Sequence, residues 1–250
     1  MTTDFGSPRS QVGDVFKAID NDAETRCVVL SAVGKTWTAG LDLMEAAGDS
    51  QIAAREEEDV TRAAFRIANH VRWIQSVFTN VEACRQPVIG SAHGAVIGAG
   101  VDILSCCDIR YCAADTYFCI KEVDIGIAAD LGTLQRFPKI IGNDSLAREL
   151  AYTARNLKSQ EALGCGFVSN VLPDADAALA SAMATAALIA EKSPVAVSTT
   201  KMSMVYSRDH TVSEGLDHIA AWNGVGLQTE DMGAAVGAFM SKSKPTFSKL

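Results

Sequence analysis

The sequence predicts an α/β fold in which strands and helices mix up to about residue 174, with helices alone beyond it. Short apolar runs predict buried strands, among them Cys27 to Ala32 and Val88 to Ala92. Beyond Ala175 the chain is rich in alanine, and further helical segments follow Pro194. We therefore expect a core domain over residues 1–174 and a helical tail over residues 175–250.

A long helix is predicted between those two strands. Apolar residues recur at alternating spacings of four and three positions over about six turns, which is the period of one helix face. Pro87 ends the pattern. We expect the whole face to pack into the core. The residues of this stripe are Val60, Ala64, Ile67, Val71, Ile74, Phe78 and Val81.

The amino-acid composition limits the kinds of molecule that this protein is expected to bind. The formal net charge of the 250 residues is −8, which argues against nucleic acid because phosphate binding needs an excess of Lys and Arg. No stretch approaches the roughly 18 apolar residues of a membrane span, so we expect a soluble intracellular protein. The seven cysteines form no Cys-x-x-Cys pair and lie mostly in apolar runs, which predicts buried, reduced thiols.

The two ends of the sequence give expectations about targeting. The start, MTTDFGSPRS, has no apolar segment typical of a secretory signal. The last three residues are Ser248, Lys249 and Leu250, and a terminal Ser-Lys-Leu is a peroxisomal import address. We expect a protein of the peroxisome, or of a related organelle such as a glycosome, with the import receptor as a partner.

A glycine-rich turn is the first candidate for chemistry. Gly94, Gly98 and Gly100 follow a predicted strand and precede a helix that begins near Ala99. Their spacing differs from the dinucleotide pattern. A strand, glycines and a helix start leave unpaired backbone N–H groups, which suit a developing oxyanion. Close packing alone is the alternative explanation for these glycines.

Three acids lie in apolar surroundings: Asp102, Glu122 and Asp130. Burial makes a carboxylate costly and raises its pKa, and such groups suit proton transfer near neutral pH. The alternative for each is a structural acid that caps a helix or pairs with an arginine, for which Arg110 and Arg136 are available.

Other chemistries are less favoured by the sequence. The histidines show no metal-ligand spacing, so we expect no metal site. His93, beside the glycine turn, is a weaker catalytic candidate. No G-x-S-x-G motif indicates a serine hydrolase.

Three segments together resemble the crotonase (enoyl-CoA hydratase/isomerase) superfamily. They are KTWTAGLDL, PVIGSAHGAVIGAGVDILSCCDIRYCAADTYF and LGTLQRFPKIIG, and the likeness runs from about Val28 to the C-terminus. Within the family, IKEVDIGIAADLGTLQRFP, together with TARN, SPVAVSTTK and YSRDH, is similar to the Δ3,5-Δ2,4-dienoyl-CoA isomerases. The family's opening strand pair has no counterpart in this sequence.

The resemblance implies a role for each candidate. The backbone N–H groups of Ala39 and Ala99 would form an oxyanion hole for the thioester carbonyl. Glu122 would take a proton from C2, Asp130 would return one at C6, and Asp102 would support the site. The hydratases of the family carry glycine at the position of Asp130 and a second glutamate at that of Asp102. The substrate-binding residues implied are Ala39, Gly40, Leu41, Asp42, Leu43 and Gly100.

The resemblance also implies an architecture and partners. We expect a spiral of ββα turns with a C-terminal helical tail that packs on a neighbouring subunit, in a homotrimer or homohexamer. The substrate would be an acyl-CoA, and no separate cofactor is required because coenzyme A belongs to the substrate. The nearest alternative is an enoyl-CoA hydratase. The alternative from another class is a catalytically silent binding or scaffold homologue, which should have lost its acids.

Overall fold

The computed structural model describes residues 11–42, 51–53, 55 and 58–250. The helices are α1 (Gln11–Asp20), α2 (Val60–Ala83), α3 (Ala99–Cys106), α4 (Thr133–Ile141), α5 (Asp144–Thr153), α6 (Ser159–Gly164), α7 (Ala175–Ala190), α8 (Pro194–Ser207), α9 (Val212–Gly226) and α10 (Glu230–Ser241). The strands are β1 (Val28–Leu30), β2 (Val88–Ala92), β3 (Ala95–Ile97), β4 (Ile109–Ala113), β5 (Tyr117–Cys119), β6 (Leu157–Lys158) and β7 (Asn170–Leu172).

Two sheets are built from successive turns of a spiral. One sheet is parallel, in the order β1-β2-β4-β7, and the other has the order β3-β5-β6, with β3 and β5 parallel. Each turn therefore contributes one strand to each sheet: β2 lies beside β4, while β3 lies beside β5. Ile89 is in register with Ile109, and Val96 with Phe118. This is the spiral of ββα turns that the sequence resemblance implied.

Helix α2 departs from the prediction of a continuous core face. Asp59 caps its start, because its side chain accepts the N–H groups of the first turn. Phe78 and Val81 are fully buried, as expected, but Val60 is 86% exposed. Val71 and Ile74 are half-buried. The start of the helix is exposed and its middle lines a cavity at Val71 and Ile74, so the prediction of a core face is wrong over these parts.

Two strands are shorter than predicted. Strand β1 covers only Val28–Leu30 and is half-buried, because in the described part of the chain it pairs with β2 alone. The run from Phe167 to Leu172 forms a strand only at Asn170–Leu172. Phe167 instead lies in a buried turn after α6, where its N–H donates to the carbonyl of Ala162 at 2.9 Å.

The helix from Ala99 and the helices of the tail lie within a few residues of their predicted positions, whereas strand β6 was not predicted. Helix α7 packs on β2 and β4, while α8 and α9 pack against each other. Lys201 of α8 is buried and forms an ion pair of 2.8 Å with Asp108, which ties the tail to the sheet. All seven cysteines are free thiols, as predicted.

Among the described residues, no helix is both long enough and apolar enough to span a lipid bilayer.

Candidate active site

The backbone of two separate segments meets at the end of strand β3. Thr38 forms a parallel bridge with Val96, and its N–H donates to the carbonyl of Ala95 at 3.0 Å. This pairing lays the loop that ends at Ala39 alongside β3, which itself leads directly to Ala99. The two proposed oxyanion-hole residues are therefore brought to the same edge.

Gly98 shapes the turn between β3 and α3. Its φ of 55° is a left-handed conformation that glycine adopts without steric cost. A Cβ at this position would lie 3.3 Å from Oε1 of Glu122, so the missing side chain lets that carboxylate approach the turn. Ala99 is the first residue of α3, where N–H groups have no partner within the helix. Among the described non-glycine residues only Ala154 and Lys242 have positive φ, so alanine fits at position 99.

Glu122 begins a short 3-10 helix, Glu122–Ile125, that follows β5. Its carboxyl group is half-buried. Burial, together with the negative charges of Asp102 and Asp130, raises its pKa to about 7. A carboxylate with a pKa near neutrality is well matched to general-base catalysis.

Asp102 lies on α3 and is 1% exposed. Its Oδ1 accepts the backbone N–H of Thr133 at 2.6 Å, at the first residue of α4, where the N-cap residue Gly132 has no side chain to do so. Asp102 therefore caps the start of a helix that is distant along the chain. Helix capping was one of the two structural roles that the sequence left open for this acid. Burial raises its pKa to about 6. The other alternative, pairing with Arg136, is not observed: that guanidinium pairs with Glu82 at 3.1 Å.

Asp130 lies between the 3-10 helix and α4, in a segment without regular structure. The sequence predicted a buried acid, but Asp130 is exposed in the described structure. Its apolar neighbours still raise its pKa by desolvation. The difference arises because the apolar residues beside it, such as Ile127, line a cavity instead of filling a core.

One cavity of about 230 Å³ connects these groups. Its wall is mostly apolar and contains both predicted oxyanion-hole residues and two of the three acids. The lining residues are Ala39, Gly40, Leu41, Ile52, His70, Val71, Ile74, Ile97, Gly98, Ala99, Lys121, Glu122, Ile125, Ile127, Asp130 and Leu131.

Some of the predicted site residues lie elsewhere. Asp102 stands behind the cavity wall, and Asp42 is not among the lining residues. Gly100 has a packing role, because a Cβ there would lie 2.3 Å from the side chain of Thr38. Leu43 falls outside the described residues.

Two lining residues with ionisable side chains were not predicted as site residues from the sequence. His70 projects from α2, and Lys121 precedes Glu122 and pairs with the carboxylate of Asp124. His93, the weaker histidine candidate, contacts the carbonyl of Gly34 at 3.0 Å and does not line the cavity. No pattern in the sequence distinguished His70 from an ordinary helix-surface histidine.

A larger cavity of about 540 Å³ lies between the end of α2 and helices α8 and α9. The acidic side chain that lines it is Glu82, which forms ion pairs with Arg136 and Arg208. No pair of free carboxylates lines it in the described residues, so the smaller cavity is the better candidate for proton transfer. In the described ranges no three His, Cys, Asp or Glu side chains converge on a point where they could hold a metal ion.

The family model for enoyl-CoA hydratase/isomerase matches residues 9–249. The chain therefore belongs to the enoyl-CoA hydratase/isomerase family. The match begins upstream of Val28, so the expectation that the likeness starts near that residue is wrong, and α1 is part of the family fold.

Curated relatives include the mitochondrial Delta(3,5)-Delta(2,4)-dienoyl-CoA isomerase of Homo sapiens, 49% identical over 95% of this chain and 73% of the relative. The peroxisomal enzyme of that name from Arabidopsis thaliana is 41% identical over 94% of this chain and 84% of the relative. Among solved structures, an enoyl-CoA hydratase from Bacillus anthracis has a TM-score of 0.84 and 28% identity over 95% of this chain and 87% of that chain. The predicted crotonase-like fold is confirmed.

Proposed function

We propose that this protein isomerises 3,5-dienoyl-CoA to 2,4-dienoyl-CoA in fatty-acid β-oxidation. The observation that carries the proposal is a mostly apolar cavity whose wall contains Ala39, Ala99, Glu122 and Asp130. Relatives that carry the isomerase name, at up to 49% identity, support it.

The first step is removal of a proton from C2. The ionised carboxylate of Glu122 takes the proton, and the electron pair of the C–H bond moves into the thioester and the conjugated chain. The N–H groups of Ala39 and Ala99 stabilise the resulting enolate oxygen, and removal of one such donor typically costs 10²–10³ in rate. Glu122 lies against Gly98, so base and oxyanion hole act on the same end of the acyl chain.

The second step is return of a proton at C6. The C2 anion is conjugated through both double bonds, so protonation at C6 moves them to positions 2 and 4. The acid form of Asp130 donates this proton, and exchange with water restores both carboxyl groups. Its raised pKa favours the acid form, and its place in the same wall as Glu122 suits an extended conjugated chain. Neither step needs a metal or redox cofactor, since coenzyme A is part of the substrate.

Hydration of enoyl-CoA is the second candidate function, because a Short-chain-enoyl-CoA hydratase from Clostridium acetobutylicum is 30% identical to this chain. Hydration requires a second carboxylate that holds the attacking water. Asp102 occupies the corresponding position, but its Oδ1 accepts the N–H of Thr133 and its side chain is outside the cavity wall. The silent scaffold alternative is disfavoured because all three acids are retained.

A parallel absorbance assay separates these functions. Purified protein is given 3,5-octadienoyl-CoA in one cuvette and a 2-enoyl-CoA in the other. The proposal requires isomerisation of the diene well above hydration of the enoyl thioester. Faster hydration would replace it with the hydratase, and no turnover of either substrate would favour the silent homologue.

We also propose that the helical tail assembles three or six copies. Large apolar side chains of α9 and α10 are exposed in the single chain, which is the pattern of an uncovered interface. They include Leu216, Trp222, Val225, Val236 and Phe239. Light scattering at micromolar concentration should give about three or six times 26.4 kDa. A monomer would contradict the proposal.

We also propose that the protein is imported into a peroxisome-type organelle. The relative from Homo sapiens is described as mitochondrial and the relative from Arabidopsis thaliana as peroxisomal. A fluorescent protein fused before residue 1, with Leu250 as the free terminus, should collect in peroxisomes. Removal of Ser248 to Leu250 should leave it diffuse, and diffuse fluorescence with the tripeptide intact would refute the proposal.

A further inference from the structure

We propose that Gln75 is a positioning residue for proton return, because its side-chain amide fixes the backbone of Asp130. This inference rests on the function proposed above. Gln75 lies on α2, directly after the cavity-lining Ile74. Its Nε2 donates to the backbone oxygen of Asp130 over 2.6 Å.

Asp130 needs such a contact because regular structure does not hold it. Glu122 begins a 3-10 helix and Ala99 begins α3, whereas residues 127–132 belong to no helix or strand. In the described part of the chain, no backbone N–H of residues 128–131 donates to a backbone oxygen. The direction of the Asp130 side chain therefore depends on contacts from neighbouring elements.

Side chains from two different helices bind the backbone of this segment. Gln75 of α2 binds the carbonyl of Asp130, and Asp102 of α3 binds the N–H of Thr133. The carbonyl bound by Gln75 belongs to the peptide that follows the Asp130 Cα. Fixing that peptide limits the backbone rotation that would swing the carboxyl group away from C6. A displacement of about 1 Å at a reacting group can cost 10²-fold in rate.

The chain offers a matched control for this residue. Gln135 is also a glutamine, and it lines the same neighbouring polar cavity of about 430 Å³ as Gln75. It is exposed on α4, and among the described residues its side chain makes no hydrogen bond. Loss of its amide should leave the Asp130 segment in place.

The test compares Gln75→Leu and Gln75→Glu with Gln135→Leu. Leucine preserves most of the volume without a donor, and an ionised glutamate keeps the shape but repels the Asp130 carbonyl. For both Gln75 variants, kcat for isomerisation of 3,5-octadienoyl-CoA should fall about 10- to 10²-fold, with KM changed by less than about threefold. Exchange of the C2 proton with D2O should stay at the wild-type rate, because Glu122 and the oxyanion hole are untouched. Gln135→Leu should match the wild type throughout.

A Gln75→Leu variant with kcat within about twofold of the wild type overturns the inference. So does a parallel loss of C2 exchange, which would mean that the whole cavity is disturbed. Hydrogen–deuterium exchange of the Thr133 N–H, which donates to Asp102 at the end of this segment, tests the anchor by NMR without catalysis. Faster exchange in Gln75→Leu alone supports it even if the wild type fails to isomerise the diene, a result that refutes only the proposed function. Unchanged exchange in Gln75→Leu refutes the anchor.

Discussion

Two groups of residues in the wall of the candidate active-site cavity are built differently. In the first, here called the oxyanion end, Ala39 follows a residue bridged to β3, Ala99 begins α3, and Glu122 begins a 3-10 helix. In the second, Asp130 lies in an irregular, exposed segment whose backbone is bound by Gln75. The backbone thus fixes the groups proposed for enolate formation, whereas the acid proposed for proton return lies on a segment that side chains hold. Substitutions in the two groups should separate the two half-reactions.

The largest effect is expected at the oxyanion end. Glu122→Gln removes the base but keeps the shape of the side chain, so both isomerisation and C2 exchange should fall by about 10³–10⁴. Substrate affinity should change little, because the amide is nearly isosteric. Turnover by absorbance and C2 exchange by NMR check the two half-reactions separately. Retained C2 exchange in this variant would mean that another group is the base.

A smaller effect, confined to the second step, is expected from Asp130→Asn. Isomerisation should fall by about 10²–10³ through loss of a positioned acid, while C2 exchange continues. Asp124→Asn is the matched control, because Asp124 is an exposed acid nearby whose partner is Lys121. Near-full isomerisation by Asp130→Asn would show that the two groups are not divided in this way.

The free energy of unfolding should rise on Asp102→Asn by an amount that depends on pH. Burial raises the Asp102 pKa from 3.8 to about 6, so the native state binds this proton more tightly than the unfolded state. The free energy of unfolding therefore falls as pH rises through that window. Asparagine stays neutral and can still accept the Thr133 N–H. The variant should exceed the wild type in stability at pH 8 by up to about 3 kcal/mol, and by less at pH 5. A lower Tm at both pH values contradicts this account of Asp102.

The smallest expected effect is a shift in a pH profile. The proposed base is ionised Glu122, so the rate of C2 exchange should rise with pH and level off above the Glu122 pKa of about 7. The charge of Asp102 raises that pKa, so Asp102→Asn should move the midpoint of the profile to lower pH. A profile that stays in place would show that the two carboxyl groups are not coupled.

Local signals in the sequence predicted much of the fold. The apolar run at Val88 to Ala92, the glycine turn before Ala99 and the break at Pro194 all specify structure through neighbouring residues. Helix α4 was not predicted, because Pro138 lies inside it and would normally be read as a helix breaker. Pro138 is the sixth residue of the helix, beyond the first turn in which N–H groups lack partners, so its position gave no sign of a helix.

The site was harder to predict where distant segments meet. The stripe on α2 has the same period whether it packs on a sheet or lines a cavity, so Val71 and Ile74 could not be assigned from spacing. The partner of Asp102 is Thr133, 31 positions along the chain, which no local pattern reveals. Gln75 was not predicted as a site residue for the same reason, since its contact with Asp130 spans 55 positions.

The central claim is that one carboxyl group takes a proton at C2 and a second returns one at C6. A single-turnover reaction of 3,5-octadienoyl-CoA in D2O, followed by NMR of the product, tests it most directly. The account predicts deuterium at C6 of the product from the wild type. With Asp130→Asn it predicts deuterium at C2 of recovered substrate and little product. Product formed at the wild-type rate by Asp130→Asn, with C6 carrying hydrogen that came from C2, would contradict the claim.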